Sequence, residues 1–396
     1  MLNRIEITGL YGHYTYNLPL CSSQRKDICF LTGPNGYGKS TILDLIYAFI
    51  KADTKTLVGI PYDTIIFHLK DYKVSLKQER FEAEGDPNDD SSSSDDDVPV
   101  VCELTIVVYS VDNGEKLESA TFNNQDLEEN VCVFPKSLSV YLSSLNVEYL
   151  KDDRLWPRNA ERLGITGKVD MLQELMAQYD AQLTALYNVR LLDAIKKHKP
   201  TDVRYKEHGD EEIVKRAEEK LDAYNRIGLA THLTDDETAS NEPYLKLMQM
   251  VAVDSVLTYD GLYKQLSLLY DIIVKSEFSD KKLVLDIEHG LYFKNDNNII
   301  IPENLSSGEQ HFVIQLITLI IKADQGSLIL IDEPELSYHP AWQMDYLKNL
   351  KRIANVRQYQ FILATHSPQI FDYRWNYTID LYKQAANDAE GIEEGD

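Results

Sequence analysis

Apolar positions along this chain fall into strand-like runs and helix-like stripes. Ile5–Gly9 and Ile28–Thr32, "ICFLT", read as short strands, the second almost wholly apolar as a buried strand is. After a glycine-rich break comes "ILDLIYAFIKAD", whose Ile42, Leu43, Leu45, Ile46 and Phe49 suit the buried side of a helix packed on a sheet. The same alternation returns far downstream. Ser327–Ile331, "SLILI", and Gln360–Ala364, "QFILA", predict two further buried strands, and "HFVIQLITLIIKA" from His311 predicts an apolar helix between the two regions. The expected fold class is therefore α/β, with its motif-bearing strands drawn from both ends of the chain.

The middle has a different period. Leu172, Leu175, Met176, Tyr179, Leu183, Leu186, Tyr187, Leu191 and Ile195 form an amphipathic stripe over Met171–Lys197, stopped by Pro200; further helices are predicted over Glu211–Ile227 and roughly Tyr244–Ser276. The first would span only about 40 Å. We expect residues 1–150 to form the first half of the main domain, residues 151–284 a helical insertion, and residues 285–396 the second half.

Charge changes the picture at two places. The 396 residues carry a formal −24, which repels nucleic acid and anionic lipid unless a basic patch or a partner intervenes. Glu82–Asp97, "EAEGDPNDDSSSSDDD", holds eight acidic residues and no basic one, and predicts a disordered acidic loop. The tail "NDAEGIEEGD" is a second acidic run. One basic cluster, Lys196, Lys197, Lys199, Arg204 and Lys206, could meet nucleic acid or merely compensate a helix C-terminus. Cys21, Cys29, Cys102 and Cys132 form no CxxC pair and are expected to be buried thiols. With no signal-peptide pattern and no apolar run long enough to cross a bilayer, a cytoplasmic protein without membrane contact is expected.

Chemistry concentrates at the breaks between elements. "GPNGYGKST", Gly33, Pro34, Asn35, Gly36, Tyr37, Gly38, Lys39, Ser40 and Thr41, matches G-x-x-x-x-G-K-[ST] between a strand and a helix, where backbone N–H groups and a helix N-terminus can cradle phosphates. Lys39 would reach the β- and γ-phosphates, Ser40 would ligate Mg²⁺, and Thr41 could bond the α-phosphate of ATP. "SLILIDEPE" ends its strand in Asp332, placed to hold Mg²⁺ through water, and Glu333, placed to deprotonate the attacking water. His366, directly after the strand "QFILA", could bond the γ-phosphate and sense its loss. "LSSGEQ" opens the apolar helix with Ser306, Ser307, Gly308 and Glu309, a helix N-terminus suited to an anion; it also reads as a plain N-cap, with Ser307 and Gln310 in the capping-box spacing.

These elements in this order resemble the ABC-type P-loop ATPases, and within them the soluble branch of SMC, Rad50, RecF and OLD proteins. "GLYGHYTYNL", "LTGPNGYGKSTIL", "NLSSGEQHFVIQL", "LIDEPELSYHPAWQ" and "ILATHSPQIF" are similar to the compact AAA-21 group, which includes the ATPase subunit of Septu antiphage systems, PtuA. The resemblance implies an ATPase head, a mixed sheet with helices plus an antiparallel β subdomain. It also implies a homodimer or higher oligomer in which Ser306, Ser307, Gly308 and Glu309 of one copy close in trans on the ATP of the other. The pattern departs from the family in three ways. No Q-loop glutamine is found, since "SLSVYLSSLNVEYL" has Ser143 and Ser144 where one is expected; "ELSYHPAWQ" lacks the usual D-loop aspartate; and Tyr11, Tyr14 and Tyr16 are candidates both for adenine contact and for packing.

The stretch after His366 is expected to be too short for a Toprim nuclease, and no HNH pattern or metal-binding His/Asp cluster is read elsewhere in the sequence. By resemblance, the expected function is a regulatory ATPase subunit of an antiphage defence complex, with a separate HNH nuclease partner and nucleic acid reached through the complex. A RecF-like DNA-binding repair ATPase is the alternative, and an ABC transporter subunit a third reading.

Overall fold

The computed structural model describes residues 2–22, 27–82, 100–123, 133–151, 264–276, 281–286, 290–295, 298–300 and 305–385. The helices expected over 171–197 and 211–227, most of that over 244–276, the basic cluster, the acidic loop beyond Glu82 and the acidic tail lie outside these residues, as does Cys132. The chain divides into two units. One comprises residues 1–153, 324–336 and 343–396, the other 154–323 and 337–342.

The first unit contains two sheets. In chain order its elements begin β1 (Leu2–Leu10), β2 (Tyr14–Pro19), β3 (Ile28–Thr32), α1 (Lys39–Ile50), α2 (Thr54–Gly59), β4 (Thr64–Leu69), β5 (Tyr72–Glu82), β6 (Val100–Ser110) and β7 (Lys116–Phe122). They continue with α3 (Lys136–Ser143) and β8 (Val147–Leu150). Six strands form an antiparallel sheet in the order β2-β1-β4-β5-β6-β7. Burial alternates strictly along β4, as a sheet with one covered face requires.

The second sheet is parallel throughout. With β12 (Leu328–Asp332), β13 (Gln360–Ala364) and β14 (Thr378–Asp380), its order is β14-β3-β13-β12-β8. β3 and β13 are buried at every position, which explains their continuous apolar runs. Parallel pairing puts the C-terminal ends of all five strands on one edge, where ligands bind in open α/β sheets. Asp332 is in register with Ala364, and Ala364 with Leu31.

Helix α1 lies in the core shared by both sheets, and eight of its residues from Lys39 to Ile50 are buried. Phe49 stacks on Phe67 of β4 at 3.9 Å between ring centroids. Cys29 is buried, whereas Cys21 is only half-buried, its Sγ 3.6 Å from the Leu2 carbonyl, so burial of every thiol does not hold.

Among the described residues, the second unit has a three-stranded antiparallel sheet of β9 (Lys282–Asp286), β10 (Gly290–Asn295) and β11 (Asn298–Ile300), a helix at 264–275, and α4 (Ser307–Ile317). Phe312 of α4 stacks on Trp342 at 4.7 Å, and the indole N–H of Trp342 donates to the Ser276 carbonyl. Among the described residues no helix is long and apolar enough to cross a membrane.

Candidate nucleotide-hydrolysis site

Of the residues singled out from sequence, the parallel edge brings together Lys39, Ser40, Asp332, Glu333 and His366. Gly33–Gly38 leaves β3 and curls into α1. Gly38 has φ 76°, and a Cβ there would meet Leu10 Cδ2 at 3.0 Å, so a side chain would be both strained and crowded. No side chain caps α1, and its first turn holds no acid, which leaves the helix N-terminus open to an anion. Pro34, Asn35 and Gly36 are exposed beside it. The loop is braced from below, where buried Tyr16 donates its hydroxyl to the Tyr37 carbonyl at 2.9 Å. Burial pushes the Tyr16 phenol well above its ordinary range, so it remains a donor. Tyr14 stacks on Tyr16 and meets the Tyr37 ring at a tilt of 42°. The Tyr11 hydroxyl, by contrast, reaches Thr41 Oγ1 at 3.1 Å from an exposed position. The three tyrosines thus divide: two pack under the loop, and Tyr11 stands at its rim.

Lys39 is 5% exposed and donates to the Gly33 and Pro34 carbonyls at 2.9 and 3.0 Å. Burial lowers the pKa of its ammonium, while the charges of Glu333, Asp332 and Glu335 work in the opposite direction. Across the site, Ser40 Oγ donates to Asp332 Oδ1 at 3.1 Å. A hydroxyl and a carboxylate held together at a phosphate loop form a hard-oxygen pair, which fits Mg²⁺. Burial raises the Asp332 carboxyl to about 6, opposed by the Ser40 hydrogen bond and by Lys151. No cluster of three or more His, Cys, Asp or Glu suited to a metal occurs among the described residues.

Glu333 follows β12 with φ 45°, a left-handed conformation costly for a side chain other than glycine, and its N–H donates to the Ala364 carbonyl. His366 joins the two halves of the site. Its Nε2 lies 3.0 Å from Glu333 Oε1 and its Nδ1 3.4 Å from Lys39 Nζ. An ammonium can only donate and a carboxylate can only accept, so both contacts are satisfied by the tautomer with its proton on Nε2.

In the second unit, α4 begins with the turn named in the sequence, though not with the predicted cap. Ser306, not Ser307, is the N-cap: its Oγ accepts from the Glu309 N–H at 3.3 Å, and Glu309 Oε2 accepts from the Ser306 N–H at 2.7 Å. The Ser307–Gln310 pairing gives way because a box shifted by one residue lets buried Glu309 also meet Lys281 Nζ at 2.6 Å. Ser306 and Ser307 are exposed, Gly308 is half-buried, and Glu309 faces inward.

Three residues at the first unit's site were not singled out from sequence. Ser143 and Ser144 do not occupy the metal edge, because α3 ends at them and their hydroxyls bond back to the Val140 and Tyr141 carbonyls ahead of β8. The residue that leaves β8 at the nucleotide edge is Lys151, paired with Asp44. Glu335 accepts from the loop carrying His366, and Gln343 bonds to that same loop. The repeated acids in "DEPE" were the available signal for Glu335; Lys151 follows from strand direction alone.

Comparison with known proteins accords with this geometry. The AAA_21 family model, described as "AAA domain, putative AbiEii toxin, Type IV TA system", matches residues 28–372. The chain is 25% identical over 248 residues to the protein named "Retron Ec83 probable ATPase" from Escherichia coli, covering 57% of this chain and 41% of that protein. It therefore spans less than half the length of that relative. Among solved structures, an SMC head bound to the C-winged helix domain of ScpA is 14% identical with a TM-score of 0.36, over 94% of this chain and 91% of that one. The SMC head domain from Thermotoga maritima is 12% identical, with the same TM-score and coverage. Neither likeness is strong enough to argue from. The family match covers most of the chain and contains Gly33–Thr41, Asp332, Glu333 and His366, so the protein belongs to the AAA_21 family.

Proposed function

We propose that the chain binds and hydrolyses Mg-ATP at the parallel-sheet edge and serves as the regulatory subunit of an antiphage defence complex, its nucleotide state controlling a separate nuclease effector of the HNH type. The observation that carries hydrolysis is the bridge from Lys39 through His366 to Glu333. A γ-phosphate entering the loop would take the Lys39 ammonium from the Gly33 and Pro34 carbonyls and the Nε2 proton of His366 from Glu333. Glu333 Oε1 is then left to accept a proton from water, the role of a general base. Ser40 and Asp332 would hold Mg²⁺, which when bound neutralises charge on the β- and γ-phosphates. Ser306, Ser307 and Gly308 would complete the site of a second copy in a homodimer or larger assembly, with Glu309 shaping their turn.

The defence setting is supported by the relative named as a retron ATPase. Septu-type organisation, with a PtuA-like ATPase and an HNH partner, is the finer form of this reading. Glu333→Gln is expected to retain Mg-ATP while phosphate release falls about 10²–10⁴-fold. The purified chain is expected to leave plasmid DNA and RNA intact, and a genomically adjacent nuclease to co-purify with it and to change activity with ATP. Unchanged turnover in Glu333→Gln would remove it as the base. Metal-dependent cleavage by the chain alone, abolished by a substitution within it, would overturn the regulatory reading.

A further inference from the structure

Glu335 has no role in the chemistry above, yet the switch loop is tied to it. It lies in the single turn Pro334–Ser337 after β12. Its Oε1 accepts from Thr365 Oγ1 at 2.7 Å, from the His366 N–H at 2.7 Å and from the Ser367 N–H at 3.1 Å. Its own carbonyl accepts from Gln343 Nε2 at 3.2 Å, while Gln343 Oε1 accepts from Ser367 Oγ at 3.1 Å. The carboxylate and Gln343 therefore grip the three residues Thr365, His366 and Ser367 by backbone and side chain. Hydrogen bonds to an ionised acceptor are stronger than neutral ones, and convergence of three donors on one oxygen fixes the peptide planes that carry them.

This matters because His366 must meet two partners at once. With its side chain one-third exposed, packing does little to hold the imidazole, and its aim is set by its own backbone. Displacement of a catalytic group by about 1 Å can cost about 10²-fold in rate.

We infer that Glu335 is the positioning residue for the switch histidine: it fixes the Thr365–Ser367 backbone so that the His366 ring spans Lys39 and Glu333, and it acts on turnover through His366. The inference rests on the roles proposed above for His366 and Glu333. It also separates the two acids of the turn. Glu333 faces the reacting phosphate, and Glu335 faces the loop that reads it.

A double-mutant cycle tests this. Glu335→Ala is expected to lower kcat about 10- to 100-fold with ATP affinity changed far less, since the hydrogen bonds of Lys39 to the Gly33 and Pro34 carbonyls do not involve Glu335, whose charge is the last and smallest of the three acids acting on it. Glu335→Asp keeps the charge but is one methylene short of the loop, and should fall with Ala; Glu335→Gln keeps an acceptor oxygen at full reach and should recover most of the rate. In a His366→Ala background, Glu335→Ala and Glu335→Asp should each cost nothing further, because residues acting as one unit are not additive. The Asp variant preserves the buried charge and carries the cycle should the Ala variant not fold. Losses that multiply in either double variant would overturn the inference alone. Wild-type turnover in His366→Ala would overturn both the switch assignment and the inference.

Discussion

Asp332→Asn should make the nucleotide-free protein more stable, although it removes a group proposed to hold Mg²⁺. Asp332 ends a buried parallel strand, and burial is the main reason its carboxyl ionises at about 6 instead of 3.8. Between those two values the unfolded chain has released the proton and the folded chain has kept it. Stability therefore falls as pH rises through that interval, and the full cost is present above about 6. The difference corresponds to about 3 kcal/mol at most. Partial exposure and the retained bond from Ser40, which an amide oxygen can also accept, reduce the expected gain to about 1–2 kcal/mol at pH 7.5. The assay is urea unfolding in EDTA without nucleotide, wild type against variant, at a series of pH values. The gap should be widest at pH 7.5 and close toward pH 4. Adding Mg-ATP should stabilise the wild type far more than the variant. A variant no more stable than wild type at pH 7.5 would refute the reasoning and mean that Lys151 and Ser40 already compensate the Asp332 charge.

Two further expectations concern the signature turn. Burial works against the Glu309 charge, but hydrogen bonds from Lys281 and Ser306 outweigh it and hold the carboxyl below its ordinary 4.5. Its contribution is thus present above about 4.5 and lost as pH falls through the lower folded value. Lys281→Met should weaken the turn by about 1–3 kcal/mol, read as faster hydrogen exchange at residues 306–310, and move that loss to higher pH; unchanged exchange would show that the cap alone sustains Glu309. If that turn closes a second copy's site, mixing Lys39→Ala with Ser306→Arg subunits should restore part of the ATPase, since one composite site in a mixed dimer carries neither lesion. No recovery in exchanged dimers would count against sharing.

The legible parts of this protein were those whose cause is local. "ICFLT" and "QFILA" were recognised to the residue because strands buried on both faces leave an unbroken apolar run, and β3 and β13 are buried at every position. The turn from β3 into α1 was legible for a related reason: the positive φ at Gly33, Gly36 and Gly38 demands glycine at fixed offsets. Strand ends were predicted less well. Ile5–Gly9 extends to Leu2–Leu10 because edge residues of β1 pair with β2 and β4 whatever their polarity. The capping box slipped by one residue because "SSGEQ" satisfies two registers locally, and Lys281, distant in sequence, decides between them.

What sequence spacing could not supply was the wiring among the motifs. His366 could be placed after a strand, but its contacts to Lys39 and Glu333 follow from the order β3-β13-β12, which sets the switch strand between the phosphate loop and the paired acids. The same order explains why Ser143 and Ser144 could not serve the metal edge. β8 runs parallel to β12, so residues before it lie at the opposite end of the sheet from Asp332, and only the residue after it, Lys151, reaches the site's field. A lysine there adds positive charge beside Asp332 and Ser40, where a Q-loop glutamine would add a neutral oxygen ligand. In the proposed Mg-ATP complex, protein ligation of Mg²⁺ would then fall to Ser40 and Asp332, with phosphate and water completing the shell. Magnesium tolerates that division well, because it gives up its hydration reluctantly and commonly keeps several waters.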